Sequence, residues 1–560
     1  MASLRRWFNS IQIDTKKLWL IVILLVAFKL FLCSFQMMFI LPDDSKIDDA
    51  LMFRLAQNVD AGNWLGEYNW LTLSKHSFYA LWLAMLSWLG INVIIGGQML
   101  YAFCCIIFLC ATKPLFKHNA SRLLVFTGLL YLPQSYAEYT LRIYRDNIYT
   151  SLVIIGLSAL LGAFIRYKEK PQKVIVYEIL AGISLGAAWL THEDNILLIP
   201  FIAVAVGIYF LIVLLNKHVK QKAIKLIQLL VPVMLITGML GGWVYMNKAY
   251  YGRYVISDYT SSEFQDAVGA MIRACPEEQD RYEVLPYSTR MQLYEVSPAF
   301  KTLQPYLESN SMYTRYGDAE RRHLNPSTIQ WTIREAAQSA GHYENAKKAE
   351  EFFRTLADEI NAACDANLIS SGKEHSGIYA PVRAGFILPT AGKFFEQIKV
   401  FLLFEQTSPS SDFSVARPDD SFEWEEFLHC RSSRVAVADT ATPYFSPIQR
   451  LAYMILNIIT WLYRIGVWAV LAGCGIWLYK YIKKAAHALK KKEPLPGDIL
   501  GVVLLAGFML TGVLRLVAMG YLFAVSISFE PYLMYFVTAV PMIFAFVLLG
   551  FTRWLEQQPQ

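Results

Sequence analysis

Long apolar runs alternate with short polar segments along most of this chain. Runs of about 20 residues, each long enough to cross a hydrocarbon core of roughly 30 Å as a helix, fall at 18–41, 95–112, 123–139, 148–165, 175–190, 196–215 and 226–246. They return at 449–479, 497–522 and 531–550. This pattern predicts an all-α polytopic membrane protein. The run at 77–91 is shorter and follows an amphipathic loop, so it is expected to lie at the membrane surface. From 247 to 447 the pattern turns polar. Helical periodicity over 327–368 places Trp331, Ala336, Phe352, Phe353, Leu356 and Ile360 on a core-facing side. The apolar stretch 391–404 is too short to span and reads as an interfacial helix. The expected organisation is an N-terminal transmembrane module over 1–246, a mainly helical extracytoplasmic loop domain over 247–447, and C-terminal transmembrane helices over 448–560.

Charge gives the sidedness. Hydrophobic residues make up 55% of the chain and charged ones 17%, and the net charge is +6. The surplus sits in short loops between apolar runs, as the positive-inside rule expects, and not in a nucleic-acid-binding patch. Lys113, Lys117 and Arg122, then Arg166 to Lys173, Lys217 to Lys225 and a basic loop at 480–492 should face the cytoplasm with both termini. Arg5, Arg6, Lys16 and Lys17 precede a run too long for a signal core, so it is read as the first span. Cys33, Cys104, Cys105, Cys110 and Cys474 lie in apolar runs. Cys275, Cys364 and Cys430 lie in the polar loop, where a Cys275–Cys364 disulfide is expected in an oxidising compartment. No metal-ligand spacing, Rossmann glycine pattern or P-loop is present.

The predicted outer turns are acidic. The first carries Asp43-Asp44-Ser45-Lys46-Ile47-Asp48-Asp49, then Gly62-Asn63-Trp64, then Lys75 before Phe78-Tyr79-Ala80-Leu81-Trp82-Leu83. Adjacent carboxylates repel, which raises one pKa, and a carboxylate there can serve as general base to a hydroxyl. A solvated acidic loop is the plain alternative. The second turn reads Tyr144-Arg145-Asp146-Asn147 and the third His192-Glu193-Asp194. A snorkelling Arg145 with a capping Asp146 would also explain the second. One histidine beside two acids is weak evidence for a metal. Arg515 stands inside an apolar run, where it pairs with a lipid phosphate or with an internal acid.

The order of these motifs over the first 250 residues resembles the C-type (GT-C) superfamily of integral-membrane glycosyltransferases, which includes protein O-mannosyltransferases and the lipid A aminoarabinose transferase. Asp48-Asp49, Gly62-Asn63-Trp64 and Lys75 with Tyr79 to Leu83 carry the likeness. The resemblance implies a GT-C-like helical bundle. It puts Asp48 in the catalytic carboxylate position with Asp49 as the alternative, Asp146 in the same site, and Lys75 on the donor phosphate. Arg145 and Arg515 are further candidates for that phosphate, and His192, Glu193 and Asp194 for the active site. The chain departs from its relatives in His76-Ser77, where many have prolines, and in Asp49, where Glu is usual. The implied activity is transfer of a sugar from a polyprenyl-phosphate donor to an extracytoplasmic hydroxyl on a cell-wall polymer, lipid or protein. The implied location is the cell membrane. No cofactor is firmly implied, and a divalent metal is disfavoured because the second turn lacks Asp-x-Asp. A transporter or flippase of lipid-linked glycans is the rival reading, but no internal repeat is visible.

Overall fold

The computed structural model describes residues 2–41, 46–275, 281–376, 379, 381–411, 418–433 and 445–557. Asp43, Asp44 and Ser45 lie outside them. The chain is 71% helical. The described residues form one two-stranded hairpin, pairing Gly317 with Leu324 and Asp318 with His323. Among the described residues eight helices are long and apolar enough to cross a membrane, and the protein is an all-α, multi-pass membrane protein.

Two expected spans differ from the pattern. The helix at the expected first span runs Thr15–Cys33, after a short one over Ala2–Ser10, and stops well short of residue 41. It carries Lys29 fully buried, with its Nζ donating to the Leu130 carbonyl and to Ser135 Oγ, both at 2.7 Å. The run expected at 123–139 is helical only over Asn119–Leu130 and continues as two short 3-10 turns, Pro133–Tyr136 and Glu138–Leu141. Pro133 lacks the N–H an α-helix would need there. Lys29 takes up one of the carbonyls left open at that break.

Phe78–Trp88 spans 11 residues, about 16 Å of helix, and is too short to cross. Between residues 76 and 112 only Val93–Ala111 is long and apolar enough to cross. The basic stretch after residue 479 is also not a loop. The helix Pro447–Lys491 runs unbroken for 45 residues and ends on Lys492 in the left-handed region.

The helix Asp146–Ile165 sits at the centre, buried on nearly all sides, and packs between Val93–Ala111 and Pro171–Thr191. The latter in turn meets Leu230–Tyr251. Gly182 makes that last contact close. A Cβ there would come 2.8 Å from the Pro232 Cα, so only glycine lets the two backbones approach. The helices Ile499–Val525, Ala539–Glu556 and Pro447–Lys491 form a second group.

The polar segment after Tyr251 is clamped onto the first loop. The Asp258 N–H donates to the Leu73 carbonyl at 2.7 Å, and Arg334 donates twice to the Trp70 carbonyl, at 3.0 and 2.6 Å. The Gly62-Asn63-Trp64 motif shapes the same loop. Trp64 adopts φ +53 between Gly62 and Gly66, also left-handed. Its indole N–H donates to Asn247 Oδ1 at 2.8 Å and its ring packs on Trp243. These contacts offset the strain of a left-handed tryptophan. Among the described residues no disulfide joins Cys275, Cys364 or Cys430, all three of them buried.

Candidate active site

The three acidic turns meet at one end of the bundle. Asp48 and Asp49 open the helix Asp49–Asp60, and neighbours at a helix start project about 100° apart. They therefore face different surroundings. Asp49 is fully buried and takes a two-pronged contact from Arg142, Nε to Oδ2 at 3.0 Å and Nη2 to Oδ1 at 2.8 Å. Asp48 lines an open cavity and is paired with Lys75. Lys75 also lies 5.1 Å from the centre of the Trp331 ring.

The other two turns complete the charged floor. Asp146 begins the central helix. Arg145 donates to Glu193 at 2.8 Å, and Glu193 also accepts the His76 N–H at 3.1 Å. Asp194 is paired with Arg515 at 3.1 Å, and Arg515 also donates to the Tyr535 carbonyl at 3.2 Å. Arg515 is thus an internal ion pair standing behind Asp194, not a residue of the cavity wall. His192 has its Nδ1 on the Asp194 N–H at 3.2 Å and its Nε2 3.9 Å from Asp146 Oδ2.

Charge sets the protonation states. Burial would raise the Asp48 carboxyl, but Lys75, Arg142 and Arg145 outweigh it and hold Asp48 below the usual carboxylate range. Burial pushes the His192 imidazole down to about 3, so it is neutral. Asp48 is therefore an ionised carboxylate facing the cavity, which is the state a general base needs.

The cavity holds about 290 Å³. Asp48, Lys75, Arg145, Asp146 and the His192-Glu193-Asp194 turn make its charged floor. Tyr259, Trp331 and Tyr379 from the polar segment make an aromatic wall. Met519, Leu522, Ile527 and Phe529 at the end of the helix Ile499–Val525 make an apolar one. Of the residues singled out in the sequence, Asp49 and Arg515 lie outside this lining. Arg142, Tyr259 and Tyr379 were not singled out, and Trp331 only as a core position of its helix. Arg142 is 93 positions from its partner Asp49, a separation that no local motif spans. Among the described residues no group of three His, Cys, Asp or Glu is arranged to hold a metal.

No family model matches the chain, and no curated protein matches it. The chain is similar to two solved structures of ArnT from Cupriavidus metallidurans, one in the apo state and one bound to undecaprenyl phosphate. Identity is 12% and 11%, TM-score 0.32 and 0.30, and each alignment covers 96% of this chain and 78% of that one. ArnT is a lipid A aminoarabinose transferase of the GT-C superfamily. At those values neither fold nor function passes from ArnT to this chain, and the functional reading rests on its own site.

Proposed function

We propose that the protein is a glycosyltransferase that moves one sugar from a polyprenyl-phosphate donor to a hydroxyl acceptor outside the cytoplasm, with inversion at the sugar carbon. The observation that carries this reading is the cavity itself. One space joins an ionised carboxylate, buried cations and an apolar wall at the end of the helix Ile499–Val525. A charged headgroup on a lipid chain needs both kinds of wall at once. In the proposed step Asp48 takes the acceptor hydroxyl proton as that oxygen bonds to the sugar carbon. The bond from that carbon to the phosphate oxygen breaks, and the polyprenyl phosphate leaves with the electron pair. Lys75, with Arg145 beside it, holds the phosphate charge as it develops. Arg515 acts indirectly, by fixing Asp194.

The test is purified protein in detergent, given polyprenyl-phosphate sugars and nucleotide sugars in parallel. Transfer is expected only from the lipid-linked donors, with release of polyprenyl phosphate. Lack of transfer from every donor, together with movement of lipid-linked glycans across reconstituted vesicles, would replace the transferase with a flippase. The proposal also fixes the side. Exposed Lys301→Cys is expected to react with an impermeant maleimide outside intact cells, and exposed Lys490→Cys only after permeabilisation. The opposite labelling pattern would place the site in the cytoplasm.

A further inference from the structure

Asp146 also borders a second, smaller space, between the near ends of the helices Val93–Ala111 and Asp146–Ile165 and the 3-10 turn Pro133–Tyr136. Its volume is about 30 Å³, room for about two water-sized bodies. Gln98, Gln134, Asp146, Asn147 and Ser151 line it. Of these, Gln98, Gln134, Asp146 and Ser151 are at most 3% exposed.

The polar atoms of this group do not satisfy one another. Among the described residues, Gln98 Oε1, both side-chain atoms of Gln134, Asp146 Oδ1, Asn147 Oδ1 and Ser151 Oγ have no hydrogen-bond partner. Two of the amides cannot turn to mend this. Gln98 Nε2 donates to the Ser135 carbonyl at 2.7 Å, and Asn147 Nδ2 donates to the Arg142 carbonyl at 2.6 Å. Their oxygens are left as fixed acceptors. A buried acceptor without a partner keeps its full desolvation penalty, so such a set implies a partner from outside the chain.

Charge says which kind. Around the active site the carboxylates pair off: Asp48 with Lys75, Asp49 with Arg142, Glu193 with Arg145 and Asp194 with Arg515. Asp146 is left over. Among the described residues its one ion-pair contact is to His192, which is neutral.

We propose that this space binds one small monovalent cation of the Na⁺ class, held by the Asp146 carboxylate and the side-chain oxygens of Gln98, Gln134 and Asn147. Hard cations select such oxygens. One carboxylate balances one positive charge, whereas a divalent ion would leave a charge buried and unmatched. Asp146 borders both spaces, so the ion enters from the active-site cavity. Once bound, it holds Asp146 ionised and immobile beside the reacting groups.

The test uses the full-length protein in detergent without donor or acceptor, so its outcome is independent of the transferase reading. NaCl is expected to raise the thermal unfolding midpoint saturably above choline chloride at equal ionic strength. Equilibrium dialysis is expected to retain ²²Na⁺, displaced by unlabelled Na⁺ and not by choline. Gln134→Leu removes a side chain with no partner among the described residues and is expected to weaken Na⁺ binding by about tenfold or more. Should that variant fail to fold, isotope retention by the unaltered protein still decides. Equal midpoints in Na⁺ and choline with no retained isotope would mean that water alone fills the space, and would overturn the proposal. Stabilisation by Ca²⁺ or Mg²⁺ but not by Na⁺ would overturn it as well.

Discussion

Asp48→Asn is expected to lower sugar-transfer turnover by about 10²-fold or more, the usual scale for losing a general base, while leaving donor binding nearly intact. Asn keeps the size and the hydrogen bonds of Asp but cannot take a proton. The geometry makes this residue, and not its neighbour, the test of the proposal. Asp48 lines the cavity, and Asp49 is sealed against Arg142. Lys75→Met should act differently. It removes a cation from the phosphate site, so donor binding weakens along with rate. It also removes the first of the three charges that hold the Asp48 carboxyl down against burial. Asp48 is the active base above its pKa and is lost as pH falls through it. Raising that pKa must therefore move the acid limb of the kcat/KM profile to higher pH in Lys75→Met. An unmoved limb in a variant that still turns over would mean that another group is the base. Full activity in Asp48→Asn would mean that the carboxylate is not needed at all.

How much of this could be read from residue order depends on how local each feature is. The spans from 148 to 246 are local. Their apolar runs are long, with Glu178 the one charge inside them, and the structure places helices there. Where a single residue carries the outcome, the pattern misleads. Pro133 breaks the run expected at 123–139. The lysines after 479 look like a loop by charge, yet Ala485, Ala486, Ala488, Leu489 and the lysines among them all favour helix, and propensity prevails over charge. The three acidic turns were legible as separate signals with shared sidedness, and the structure brings them to one cavity. Which of two adjacent aspartates faces that cavity was not legible, because it depends on the rotation of one short helix and on an arginine far along the chain. The aromatic wall is likewise a product of docking. Trp331 reads as a core position of its own helix, and it reaches Lys75 only because Arg334, one turn later, grips the Trp70 carbonyl.

The same helix rotation sets up the largest stability effect. Arg142→Met is expected to destabilise the protein by about 3–5 kcal/mol, since it leaves the Asp49 carboxylate buried without its cation. Asp49 is fully buried and both of its oxygens are occupied by the one guanidinium, so no water-exposed route relieves the charge. Asp49→Leu alone should be costly for the mirror reason, with Arg142 left unmatched. The double variant Asp49→Leu/Arg142→Met should recover much of the loss, because a buried pair replaced by apolar groups of similar volume forfeits neither a bare charge nor its packing. Thermal inactivation midpoints of the two single variants and the double, in one detergent, measure this directly. The double variant then separates structure from chemistry. If Asp49 only anchors the helix that presents Asp48, the folded double variant keeps sugar transfer within about tenfold of the parent, a loss of roughly 1.4 kcal/mol at the transition state. If it folds well and is inactive while Asp48→Asn stays active, the base is Asp49, and its contact with Arg142 must open in the substrate-bound state.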